Sequence, residues 1–149
     1  MLNDKLKLRG DVSIVLKNDD GSVKDSRTIK NLVVNDGLNY IVSRMKDTTQ
    51  GAMSHMAVGS STTAAAAGQT DLVSVLGSRE ALDSTTVSTN TITYVSSFEA
   101  GEGTGAVTEA GIFNASSSGD MLCRTVFSVV NKQATDSMTI TWTITLTAS

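Results

Sequence analysis

The sequence predicts a mostly-β fold, an antiparallel β-sandwich or jelly-roll-like domain with one short helix. Three observations carry this. The first is the C-terminal stretch, where Met138, Ile140, Trp142, Ile144 and Leu146 alternate with Thr139, Thr141, Thr143, Thr145 and Thr147. Alternation of period two buries one face and leaves the other wet, and a helix would scatter the same apolar residues around its axis. Threonine suits the outward face because its branched β-carbon fits the pleat. The second is a series of shorter runs rich in β-branched and aromatic residues, separated by turn signals. The third is a single segment that switches to the helical period.

The elements follow in order. Val12 to Leu16 is an apolar run closed by Asn18-Asp19-Asp20-Gly21, a strong turn signal, and Arg27 to Val34 returns as its hairpin partner. Between Asn35 and Met45, Leu38, Ile41, Val42 and Met45 fall at i, i+3, i+4 and i+7. This spacing predicts a short amphipathic helix covering an open edge or end of the sheets, with Asn35 or Asp36 as its cap. Strands are expected at Met56–Gly59, Ala81–Thr86, Thr91–Phe98, Ala110–Asn114 and Met121–Val130. Gly59–Gly68 and Glu99–Thr108 are small-residue stretches and are expected as loops. About seven or eight strands with intervening turns fit a sandwich or barrel.

Composition bounds the function. At 149 residues the chain is one ordinary domain, divided here into an extended arm over residues 1–10 and a β domain over 11–149. Hydrophobic residues at 40% and charged residues at 18% exclude a disordered chain, and no apolar run reaches the length of a membrane span. A net charge of −3 argues against nucleic acid as the main partner, because phosphate binding needs clustered Lys and Arg. The N-terminus has no apolar stretch after its basic residues, so the expectation is a chain without a signal peptide, assembled in a cytoplasm.

Chemistry is sparse. A single cysteine, Cys123, and a single histidine, His55, exclude an internal disulfide and the usual zinc clusters. Cys123 lies in a predicted strand and is expected to be a buried, inert thiol. Gly101 to Ala106 fits the spacing of a dinucleotide fingerprint, but a strand follows it rather than a helix, so it is expected to be a hairpin loop. Asn18 to Gly21 lacks the later ligands of a calcium loop. The C-terminal threonines would matter for ice binding only if repeated on neighbouring strands, and one such strand is evident. No cofactor and no enzymatic activity are expected; a small hydrolase would depend on His55 as its base.

The one basic cluster is Lys5, Lys7 and Arg9, whose spacing puts three cations on one side of an extended segment. With Leu2, Leu6 and Leu8 between them, these residues form the candidate partner-binding arm. Proline is absent from the chain, so edge strands lack one common block against pairing with another chain.

A resemblance appears in five stretches: Asn31 to Ile41 (NLVVNDGLNYI), Met56 to Ala64 (MAVGSSTTA), Glu109 to Asn114 (EAGIFN), Met121 to Val130 (MLCRTVFSVV) and Thr139 to Thr145 (TITWTIT). In this order and spacing the chain resembles a family of small virion proteins of tailed bacteriophages, from about Arg27 onward. The resemblance implies a β-sandwich or jelly-roll-like virion component without catalytic residues. It further implies a capsid decoration (cement) protein that binds the major capsid protein and forms a homo-oligomer, a trimer being the expected state. A tail, baseplate or fibre-associated module is the alternative it leaves open.

Overall fold

The computed structural model describes residues 5–46 and 50–148. They form β1 (Leu6–Lys17), β2 (Val23–Val33), α1 (Asn35–Arg44), β3 (His55–Gly59), β4 (Glu80–Ala81), β5 (Ser84–Ser88), β6 (Thr91–Phe98), β7 (Gly105–Phe113), β8 (Met121–Lys132) and β9 (Ser137–Ala148). The strands make one antiparallel sheet in the order β4-β3-β7-β8-β2-β1-β9-β6-β5. The described residues are mostly β with one helix, and the curled sheet is consistent with the expected sandwich-like architecture.

The sheet folds over at β2. Most of this strand pairs with β1, whereas only Leu32 and Val33 reach β8, opposite Arg124 and Cys123. Residues of both halves share one hydrophobic cluster, with Val12, Ile14, Trp142 and Phe98 from one half and Met56, Val58, Ile112 and Val130 from the other.

In the β1-β9-β6 half, alternation dictates the packing. Met138, Ile140, Trp142 and Ile144 are buried while the threonines between them are half-buried. Register stacks the inward residues across strands: Trp142 stands between Val12 and Tyr94, and Met138 between Leu16 and Phe98. The outward residues stack likewise. Thr143 lies between Thr93 and Asp11, Thr145 between Thr91 and Arg9, and Thr139 between Ser97 and Val15. Thr86 and Ser88 of β5 extend the first two rows. The expectation of a single threonine strand is therefore corrected, because strand neighbours separated by about fifty residues of sequence are invisible to local pattern. The array is interrupted by Val95 and bordered by Arg9 and Asp11.

Several boundaries differ from expectation. Ala81–Thr86 is not one strand: the chain leaves β4 in one half and enters β5 in the other, with the Leu82 N–H bonded to the Ser54 carbonyl and the Asp83 N–H to that of Val95. Gly105–Thr108 belongs to β7, so the expected loop ends at Thr104. That loop carries the chain from β6 to β7, which lie in different halves, and so is not a hairpin connection. Gly101 and Gly103 take φ of 84° and 58°, values that glycine adopts without strain. The Asn18–Gly21 turn is as expected, with the Gly21 N–H bonded to the Asn18 carbonyl.

The helix sits in its expected place but is rotated. Its buried residues are Gly37 and Tyr40, and Ile41 packs on the core as expected, while Leu38, Val42 and Met45 are exposed. A Cβ on Gly37 would collide with the Leu122 carbonyl, so glycine lets the helix backbone rest directly on β8. Neither Asn35 nor Asp36 caps it: Val34 is the N-cap residue, without a side-chain bond, and the Asp36 carboxylate accepts from the Met121 N–H at 2.7 Å instead. Backbone contact and one cross-element hydrogen bond thus set the helix orientation against its apolar stripe.

Candidate partner interface

The predicted arm is partly a strand. β1 begins at Leu6, and Leu6, Lys7, Leu8 and Arg9 pair with Ala148, Thr147, Leu146 and Thr145 of β9. Leu2 lies outside the described residues. The boundary drawn after residue 10 therefore falls inside β1, because β9 extends far enough to supply a partner for Leu6 onward. Leu8 turns inward and packs on the edge of the core, whereas Leu6 lies beyond the core and is 69% exposed. Lys7 and Arg9 point to the outward face beside the threonines, and Arg9 Nε donates to Asp11 Oδ2 at 2.8 Å. Lys5 is exposed just before the strand.

This segment has an open side. Pairing between β1 and β2 starts at Gly10 opposite Asn31, so Leu6–Arg9 is hydrogen-bonded to β9 alone. The structure thus brings Lys5, Lys7 and Arg9 to one end of a strand whose other side has no partner among the described residues.

The groups that suggested chemistry are otherwise engaged. Cys123 is fully buried, and burial pushes its thiol well above the ordinary range. Ser54 Oγ and His55 Nδ1 lie 2.7 Å apart, but they are sequence neighbours and His55 is held in β3 between Ala81 and Phe113. Among the described residues no group of three or more His, Cys, Asp or Glu side chains is placed to hold a metal ion. No helix of the described residues is long and apolar enough to cross a membrane.

The strongest polar site is one the sequence reading missed. Glu109 and Arg124 are fully buried and joined by two hydrogen bonds, from Arg124 Nη2 at 2.7 Å and Nε at 3.0 Å to Glu109 Oε2. Glu109 also accepts from the backbone N–H groups of Val73 and Ser74, and Arg124 Nη1 donates to Gln69 Oε1 at 3.0 Å. The pair therefore pins the segment from residue 69 to 74 onto β7 and β8. The signal was present: one acid and one base, each set among apolar residues in neighbouring runs. Register makes them diagonal neighbours, since Arg124 stands opposite Gly111 and Glu109 opposite Val126. With every strong acceptor and donor of the pair turned toward protein, the arrangement organises the fold and presents no reactive group. Compared with known proteins, the chain matches no family model, no curated protein and no solved structure.

Proposed function

We propose that the chain is a structural virion protein, a capsid decoration protein that stabilises a phage head by packing on the major capsid protein. The observation that carries this reading is the open side of Leu6–Arg9, with an exposed Leu6 and cations on Lys5, Lys7 and Arg9. An extended strand of a partner can add there through backbone hydrogen bonds, with Leu6 as an apolar contact and acidic groups opposite the three cations. The stretches that carry the family resemblance support the reading from another side. They fall on the end of β2, most of α1, parts of β3, β7 and β8, and the middle of β9. The mechanism is added interface: binding that favours the mature lattice stabilises it by mass action, without turnover.

Quantitative mass spectrometry of purified particles tests the location. A copy number equal to that of the major capsid protein, or a simple lattice fraction of it, supports decoration; a trace ratio moves the chain to the tail, and absence from particles defeats both. Charge reversal at Lys5, Lys7 and Arg9 tests the contact. It is expected to abolish binding to expanded capsids with only a small loss of thermal stability from the exposed Arg9–Asp11 contact, and retained binding would show that the anchor lies elsewhere.

A further inference from the structure

Several stretches of strand edge are open among the described residues, and they are guarded differently. The side of β2 away from β1, from Val23 to Lys30, carries Lys24, Asp25, Arg27 and Lys30. β4 is only two residues long. The open part of β1 carries Lys7 and Arg9. Short length and charge are the usual ways in which a sheet edge is kept from pairing with a second copy of its own chain, and the β1 cations leave that edge open only to a strand that brings acidic groups. β5, at the far end of the sheet, has neither protection. Its five residues Ser84-Thr85-Thr86-Val87-Ser88 are all exposed, uncharged and paired on one side only, with β6, in a ladder without a bulge.

The strand is also a palindrome of shape. Read from either end it runs serine, β-branched, threonine, β-branched, serine, because valine and threonine have nearly the same outline. We propose that β5 pairs antiparallel with β5 of a second copy, about a two-fold axis at Thr86, joining two sheets edge to edge. In that arrangement Thr86 meets its own copy, Ser84 meets Ser88, and Val87 meets Thr85. A two-fold contact sets each residue against its symmetry mate, so a charge near the axis would repel itself. The sequence holds none from Ser84 to Asn90, and the nearest, Asp83, falls at the end of the paired stretch.

The inward side chains complete the fit. Thr85 lines a cleft of about 350 Å³ between α1 and β6, together with Tyr40, Ile41, Arg44, Met53 and Ile92. Val87, which is 71% exposed in one copy, would stand across from the partner's Thr85 at the mouth of that cleft. Pairing covers two such valines and satisfies the free backbone groups of both strands. The contact rests on the edge alone and holds whether or not the chain belongs to a virion.

Thr86→Cys tests it directly. Directly opposed Cα atoms in an antiparallel pair lie about 4.5–5.5 Å apart, within disulfide reach, and buried Cys123 does not compete. Under mild oxidation the full-length variant is expected to form covalent dimers in high yield. Val23→Cys, also exposed but far from this edge, is expected to form few. In parallel, sedimentation of the unmodified chain should show a dimer, and Thr86→Lys should weaken it at least about tenfold, with circular dichroism confirming an intact sheet. A monomer, a trimer, or cross-linking no better than the Val23→Cys control would overturn the proposal.

Discussion

The two halves of the sheet solve burial in different ways. β1, β9 and β6 are amphipathic, with one face in the core and one turned outward. β3, β7 and the first part of β8 are buried on both faces. Their outer face lies under the segment from residue 60 to 79 and has a small core of its own, in which Leu72 meets Ala57, Phe113, Met121 and Val34. Arg79 closes that layer, its guanidinium 3.6 Å from the centre of the Phe113 ring and bonded to the Ala115 and Ser118 carbonyls. One half is thus held mainly by apolar alternation, while the other uses a fully buried ion pair to hold its cover. The difference teaches where a single substitution does most harm.

The largest effect is expected at the ion pair. Arg124→Met leaves the Glu109 carboxylate buried beside the two N–H groups of the cover, and should destabilise by about 3–5 kcal/mol. Chemical denaturation measures this, and proteolysis should show early cutting within residues 60–79. Adding Glu109→Leu should recover only part of the loss, since the Val73 and Ser74 N–H groups then lack their acceptor. In the alternating half, Ile140→Val removes one methylene from a fully buried site and should cost about 0.5–1.5 kcal/mol, without local proteolysis. An equal or larger loss there would erase the contrast.

On the outward face the effect should shrink again. Thr143→Ala removes the contact between Thr143 Oγ1 and Thr93 Oγ1 at 3.2 Å, and should cost about 0.2–1 kcal/mol. The smallest effect is one of pH. The Lys24 ammonium, 2.9 Å from Asp136, and the Gln133 N–H hold the Asp136 carboxyl below its ordinary range. A carboxyl lowered in the folded state stabilises above its unfolded pKa of about 3.9, and that contribution is lost as pH falls through the folded value. Lys24→Met should therefore lower stability at neutral pH, and the difference from the parent chain should vanish in strong acid. A difference that persists there would assign Lys24 a packing role instead.

The same contrast explains what was legible in the sequence. Alternation announces β9 because its two faces meet different surroundings, and Thr91–Phe98 was bounded correctly for the same reason. In the doubly covered half that signal vanishes. The expected strand Ala110–Asn114 starts five residues short of the true start of β7 at Gly105, because a strand with apolar contact on both sides has no period to read. Glu109 and Arg124 look like surface charges to any rule that treats charge as exposed. Only Ile41 of the helical stripe Leu38, Ile41, Val42 and Met45 packs on the core, because a glycine and a carbonyl decide which side meets β8. Of the candidate interface, the clustering of Lys5, Lys7 and Arg9 on one face was legible. Its incorporation into a strand was not, because the partner strand lies at the opposite end of the chain.

That last separation has a consequence for how the molecule comes into being. β1 pairs along its whole length with β9, so its main partner does not exist until Ser137–Ala148 has been made. During synthesis the first strand can form only its hairpin with β2 and must wait with an apolar face and one edge uncovered. Closing so distant a pair requires the chain to give up most of its loop entropy before the contact rewards it, which places folding among the slower β topologies, on the order of milliseconds to seconds. The charges on Lys7 and Arg9 then act earliest in the protein's life, keeping a waiting strand from joining the wrong chain before its own last strand arrives.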